Sequence, residues 1–529
     1  MKIKQKSSWL KNRGYLHLTN QIDVYTRKSE VLGKVSNPSF VAKHDFFPLL
    51  HTIISERRYK RAKDGGNDSR AHSHNGEPTV KDRPLHYATH MDSMVFGYYA
   101  ELLQKDYLLR LQLNPLLSDC VTAYRRIEDP KRKGKNKGTI HFASEVFQEI
   151  EKRALQGCTV LKFDIESFFS SIDHKMLKQA WIDLLQKPTM PTDHYNVYRA
   201  STRFSYINRD DLRMPNRGHG GRSGFDEKRL ARIRKLGVVA FFESPRAFRD
   251  ELKLGKFCIH KNKFKNEAGE MIGIPQGLPI SAVLANLYLL KPDTVIFKEI
   301  VEGLGGYYRR YSDDIIVICK PEEKQLVKDI VEKSLSDNKV KVSIPKTEEF
   351  FYHTKLGPSG NRIQGYKIEK GEWKVGAPLT YLGFEFDGVR TLIKSANVAK
   401  FYRRMVFAVK SRTRRAMLSA AANPDLTDKL FKRRLFRLYA NINLEKSYKH
   451  HNLKRLERNV NGEYVYQIEV DKREFRSNYF SYARRADEIM NQRHILRQLR
   501  RHRSIFRKTV RLQLEKFKAR QNVRLSSNL

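Results

Sequence analysis

The run Tyr307-Tyr-Arg-Arg-Tyr-Ser-Asp-Asp-Ile-Ile-Val-Ile-Cys319 decides how this chain folds. Apolar arms flank Tyr311-Ser312-Asp313-Asp314, so the run reads as strand, tight turn, strand. Two adjacent carboxylates between apolar strands are costly, because burial and mutual repulsion both oppose their ionisation. A bound divalent cation reverses that and keeps both charged. Hard oxygen ligands in small number suit Mg²⁺, which retains waters and takes substrate phosphates as its other ligands. The bland alternative is an exposed Asp-Asp hairpin turn, and other segments must decide.

Two of them do. Far upstream, Thr159 to Phe163 reads as a short strand that runs straight into Asp164, within FDIESFFSSIDH (Phe163 to His174). A polymerase needs two metals about 3.5–4 Å apart, one activating the attacking 3′-hydroxyl and one holding the leaving phosphates. Two carboxylates from a hairpin and one from a neighbouring strand end, Asp313, Asp314 and Asp164, can bridge such a pair. Taken alone, Asp164 would be a carboxylate favoured near a helix N-terminus. The other segment is GIPQGLPIS (Gly273 to Ser281), leading into AVLANLYLL. Gly277 and Pro279 fix a tight turn before a helix from Ser281 to about Leu290, and Gln276 offers an amide to an incoming sugar or base.

Composition sets the partners. At 529 residues the chain has room for three domains of about 150 residues, and its 40% apolar and 11% aromatic content supports hydrophobic cores. Lys and Arg number 102 against 58 Asp and Glu, a net charge of +44. Phosphate backbone is the natural counterpart of such a surface, ahead of a membrane surface or a ribosome. No stretch of 18 apolar residues suggests a membrane span, and Met1 to Arg13 is basic without a signal-peptide core. Cys120, Cys158, Cys258 and Cys319 lie far apart, which argues for a reducing cytoplasm over a zinc or disulfide framework. His72 and His74 fall in a polar loop (65–78) and read as solvated.

The spacing predicts a helix over Met91 to Leu116, a hairpin tip or arm at KRKGKNKG (Lys131 to Gly138), and a helix over His174 to Gln186. A mixed segment with a loop at 215–224 comes next. Further on, Glu322 to Asp337 reads as helix, and Val340 to Ile344 and Tyr381 to Phe386 as strands. From Lys394 onward, 35 Lys and Arg face 11 Asp and Glu. There Leu496, Leu499, Phe506, Val510 and Phe517 form an apolar helical stripe beneath arginines, a face suited to tracking phosphates.

In this order, the three segments resemble the motifs of reverse transcriptases. FDIESFFSSIDH resembles the first palm motif, GIPQGLPISAVLANLYL the second, and YSDD the Tyr-x-Asp-Asp signature. Lys346 in SIPKTEEF is similar to the later lysine motif, YLGFEFDG to the primer-grip hairpin, and TAYRRIEDP to a fingers segment. The likeness spans Tyr98 to Lys394. It implies an α+β right-hand polymerase with fingers, a ferredoxin-like palm and a basic helical thumb. The implied layout is 1–90 a basic extension, 91–163 fingers, 164–395 palm with an insertion at 188–272, and 396–529 a basic helical thumb and C-terminal region.

It also implies roles: Asp164, Asp313 and Asp314 as ligands of two Mg²⁺ ions, with the Ile165 carbonyl beside them. Phe169 would be the steric gate that favours deoxynucleotides. Lys346 would be the general acid toward pyrophosphate, Arg125 or Arg126 would meet the triphosphate, and Gln276 and Gly277 would contact the nucleotide. RPLHYATHMDSMVFGYYAELL and SYARRADEIMNQRHILRQLRRH further resemble bacterial defence-associated reverse transcriptases, related to the unknown-group and abortive-infection kinds, and among them the two-polymerase type 3 class. That implies antiphage DNA synthesis in the cytoplasm with dNTPs, a noncoding RNA and a DNA product, and a second reverse transcriptase subunit or further copies of the chain. Group II intron or retron-type enzymes, a related RNA polymerase and a catalytically idle RNA-binding scaffold are the competing readings. Phe169 and the Tyr-Ser-Asp-Asp turn speak against an RNA polymerase, and the full set of carboxylates against a scaffold.

Overall fold

Cys158–Asp164 is a strand whose side chains point alternately into two cores, and this places everything else. Leu161 and Phe163 enter one core together with Ile315 and Val317, whereas Cys158 and Val160 enter the other with Ile316 and Ile318. A sheet covered on both faces needs apolar residues at every position, which is why Ile315 to Ile318 is an unbroken apolar run. The computed structural model describes residues 9–57, 60–61, 70–71, 73–74, 77–215, 223–356, 360, 362–369, 371–422, 433–442, 448–475 and 477–526. The polar loops expected at 65–78 and 215–224 fall largely outside these residues, with His72 and the side chain of His74.

The sheet has six antiparallel strands in the order Tyr307–Tyr311, Asp314–Cys319, Cys158–Asp164, Glu348–Lys355, Arg362–Glu369 and Glu372–Val375. Helices His90–Gln112, His174–Leu185, Ser281–Tyr288 and Lys324–Asp337 cover one face. Helices Thr139–Arg153 and Tyr479–Met490 cover the other, with a small sheet of Leu379–Tyr381, Phe384–Phe386 and Thr391–Ile393. The basic stretch 131–138 is the tip of a narrow hairpin, held by Lys137 N–H on Ile127 O (2.7 Å) and Asp129 N–H on Lys135 O (2.8 Å).

Two strand expectations are corrected. Val340 to Ile344 is no strand: Val342 makes a single bridge to Ile165, and Ile344–Lys346 closes into a 3₁₀ turn with Pro345 inside it. Tyr381 to Phe386 is a hairpin, because Leu382 (φ 44°) and Gly383 (φ 92°) turn the chain between two short strands.

The first ninety residues are woven into the fold. Strand Leu49–Arg57 pairs with Val80–Tyr87, and its start pairs in parallel with Ser205–Asn208. Trp9, Val31, Val35 and Val41 join the same core as helix His90–Gln112. In the C-terminal region, helix Ser395–Ala422 packs on His502–Ser526 through Met405, Val409 and Phe506. To the expected helices the structure adds a long two-stranded ribbon, Tyr448–Arg458 with Tyr464–Glu474. The stripe residues Leu499 and Phe506 are buried, and the side chain of Phe517 lies outside the described residues. No helix among the described residues is long and apolar enough to cross a membrane.

Candidate active site

Asp164 and Asp314 are direct cross-strand partners. Side chains at such positions stand about 4.5–5.5 Å apart at Cβ, so the strand register alone brings two carboxylates together. Asp313 sits in the turn between Tyr311 and Asp314, and its carbonyl accepts the Ile165 N–H at 3.2 Å. The turn is tight because Ser312 adopts φ 62°, a left-handed conformation. Tyr124 OH meets the Ser312 hydroxyl at 3.0 Å. Asp164 and Asp314 therefore stand side by side at one end of two central strands, with the Asp313 turn and Ile165 next to them.

Lys346 joins them: Nζ lies 2.7 Å from Asp164 Oδ1. The 3₁₀ turn that replaces the expected strand is what delivers it, with Ser343 N–H donating to Asp164 O at 2.8 Å. Burial, reinforced by the neighbouring Asp313 and Asp164 charges against Lys162 and Lys394, pushes the Asp314 carboxyl up to about 6. The sign matters for stability. Below the ordinary value of 3.8 the group carries no penalty in the fold. Stability is lost as pH rises from there to about 6 and stays reduced above. In metal-free buffer, Asp314→Asn should therefore melt about 2–4 °C above the parent at neutral pH, with the gap closing as the buffer is acidified toward the ordinary carboxylate range.

Loop 273–281 forms a wall beside the segment that follows Asp164. Gly273 N–H donates to Ile172 O (2.7 Å) and Ile274 N–H to Phe169 O (2.8 Å), which stitches the loop to half-buried Phe169. On its far side Gln276 O accepts the His86 N–H at 2.8 Å. Gly277 has φ 110°, and a Cβ there would come within 2.5 Å of His86 O. Gly277→Ala should thus cost about 2 kcal/mol or more in urea unfolding and open this wall, since backbone cannot step aside as a side chain can.

The two arginines separate. Arg125 turns inward, donating through Nη1 to the Ser118 and Val121 carbonyls and through Nη2 to Ser118 Oγ (2.7 Å). Arg126 is exposed.

One constellation escaped sequence reasoning. Arg310 is wholly buried, with Nε and Nη2 on Asp293 at 2.7 and 2.6 Å. Nη1 reaches Asn286 Oδ1 and the Ser312 carbonyl, each at 3.2 Å. Tyr308 OH completes Asp293 at 2.6 Å. Burial works against the Arg310 charge, but Asp293 outweighs it and keeps the guanidinium protonated. The turn at Ser312 is thus fixed from beneath by a buried ion pair. The sequence offers only the pair Arg309-Arg310 on the strand before Ser312, which does not tell the buried arginine from its half-buried neighbour.

Residues 237–386 match the family model described as "Reverse transcriptase (RNA-dependent DNA polymerase)". The chain carries a reverse transcriptase domain. Its α+β fold is that of a right-hand polymerase, and the domain is that of an RNA-directed DNA polymerase. The matched span includes loop 273–281, Asp313, Asp314 and Lys346 but begins after Asp164, and the strand pairing at Asp314 ties Asp164 to the reverse transcriptase domain. No curated protein matches this chain. Similar solved structures include telomerase from Candida albicans in complex with a TWJ fragment of telomeric RNA (10% identity, TM-score 0.33, 69% of this chain and 49% of that one). Another is apo telomerase from Candida tropicalis truncated from its C-terminal domain (12% identity, TM-score 0.36, 70% and 59%). This chain spans about half the length of those chains.

Reverse transcriptases use divalent metal ions, and the donor chemistry here fits them. Carboxylates are hard oxygen donors, Asp164 and Asp314 face each other across paired strands beside the Asp313 turn, and the Lys346 ammonium already stands on Asp164 as a counter-cation. Among the described residues no three His, Cys, Asp or Glu groups are placed to hold a metal ion together, and Asp164 pairs with Lys346.

Proposed function

We propose that this chain adds deoxynucleotides to a 3′-hydroxyl on an RNA template, serving bacterial antiphage defence in the cytoplasm with a noncoding RNA and a DNA product. The observation that carries the polymerase reading is the Asp164–Asp314 register beside Asp313. The defence reading rests on the resemblance of the segments around Tyr98 and Tyr482, and includes a second reverse transcriptase subunit or further copies of this chain as partners.

Asp164, Asp313 and Asp314, with the Ile165 carbonyl, would hold two Mg²⁺ ions. When bound, these supply charge neutralisation for the attacking and leaving oxygens. The protein's own groups do the rest. Arg126 takes the triphosphate, Gln276 and Gly277 seat the sugar and base, and Phe169 crowds a ribose 2′-hydroxyl. The primer 3′-hydroxyl gives up its proton to solvent as its oxygen forms a bond to the α-phosphorus and the α–β bridging bond breaks. Lys346 Nζ then protonates the departing pyrophosphate. For this, Lys346 would part from Asp164, whose carboxylate would then be free to hold the metal.

The test is primer extension on an RNA template with dNTPs against NTPs. The parent should favour dNTPs, and Phe169→Val should raise ribonucleotide incorporation by about 10- to 100-fold while dNTP use falls little. Equal use of both by the parent would overturn the gate assignment, and no synthesis at all would overturn the polymerase reading. Phage plating with and without Asp313→Asn/Asp314→Asn, together with sequencing of copurifying RNA, tests the defence role. Full protection by the variant would leave a scaffold.

A further inference from the structure

The ribbon Tyr448–Arg458/Tyr464–Glu474 has two unlike faces. Directly opposed residues share a face, so the pairing register sorts the side chains. On one face the cations meet carboxylates: Arg455 lies 3.6 Å from Glu469 and Arg473 lies 2.6 Å from Asp471. On the other, Lys454 sits 5.4 Å from the Tyr466 ring centre and Lys472 sits 4.6 Å from that of Tyr448. Ile468 and Val470, also on this second face, are 55% and 58% exposed. Basic groups set among rings and aliphatic side chains suit a ligand with negative charge and flat faces at once. Nucleic acid is such a ligand.

Position supports the same occupant. A lone two-stranded ribbon is marginal in water, and this one is anchored at its tip to the inserted segment. The Tyr464 ring covers Gly237, where a Cβ would lie 2.9 Å away. Arg234 stands 4.9 Å over the Tyr466 ring, and Lys235 pairs with Glu463 at 3.2 Å. Tyr464 and Tyr466 belong to the basic, aromatic face. Beyond those contacts the same face carries Ile468 and Val470, both exposed. A second bridge, Lys400 to Glu56, joins helix Ser395–Ala422 to strand Leu49–Arg57.

We propose that this face grips the template–primer duplex, with Lys454 and Lys472 on phosphates and half-buried Tyr448 and the exposed Ile468 and Val470 against sugars and bases. The proposal rests on the polymerase reading for its ligand. Its test measures binding without synthesis: fluorescence anisotropy of a labelled RNA–DNA primer–template with the full chain carrying Asp313→Asn/Asp314→Asn. Adding Lys454→Gln/Lys472→Gln should weaken binding on the order of tenfold at physiological salt and make the slope of log affinity against log salt shallower by about 2. Asp471→Asn/Arg473→Gln, which removes a charge pair from the opposite face without changing net charge, should leave both unchanged. Thermal midpoints check that each variant is folded. An unaltered slope in the lysine variant, or equal losses in both variants, would overturn the proposal, as would loss of a copurifying protein with duplex affinity intact. Failure of the parent chain to bind the duplex would instead strike the polymerase reading.

Discussion

Asp313→Asn/Asp314→Asn should abolish deoxynucleotide addition, on the order of 10³-fold or more in primer extension. Asparagine keeps the shape of each side chain, so the turn survives. It removes the anionic oxygens that would hold the metal pair, and with them the charge neutralisation on which phosphoryl transfer depends. Nucleic-acid affinity should change by no more than about twofold, since phosphate contacts made elsewhere on a strongly basic chain set it. Synthesis that continued at the parental rate would remove these carboxylates from the reaction. Asp164→Asn belongs to the same test, because the register with Asp314 makes the three side chains one unit.

Arg310→Met should destabilise the chain by about 3–5 kcal/mol in urea unfolding, because Asp293 is left charged, buried and unpaired. Arg310→Met/Asp293→Leu should recover most of that loss, an apolar pair being tolerated where an orphan charge is not. Primer extension by the stable double variant should stay down about 10- to 100-fold. The Ser312 carbonyl has lost its guanidinium partner, and a turn displaced by a fraction of an ångström no longer presents Asp313 and Asp314 together. Arg310 is thus a positioning residue, and the double variant separates that role from stability. Recovery of both stability and activity would reduce the pair to a packing device.

What the sequence made legible follows from where the physics is local. Period-two alternation and an unbroken Ile-Ile-Val-Ile run announce strands, and carboxylates at their ends announce where charge must be met. Val340, Val342 and Ile344 alternate just as regularly, yet Ile344 is 81% exposed and the segment turns at Pro345. Alternation says which side chains could share a face, not whether a partner strand is present. Arg310 and Asp293 were invisible for a related reason: each looks like an ordinary surface charge until a helix and a strand, both buried, face each other. The basic, aromatic ribbon carried its own signals in the alternation from Tyr464 to Val470 and in Gly462 at the turn (φ 80°). The density of basic residues around it suggested helices throughout. Arg125 and Arg126 show the limit most sharply, since neighbouring identical residues are told apart only by which one the local backbone claims.

The parallel pairing of Leu49–His51 with Tyr206–Asn208 has a consequence for how the chain is made. A nascent polypeptide leaving the ribosome carries an open strand edge at residue 49 until some 150 further residues have been synthesised, about 10–30 s at ordinary elongation rates. During that interval the edge is free to pair with other chains. Heterologous production should therefore reward slow translation and chaperone supply, and fragments that stop short of Asn208 should aggregate.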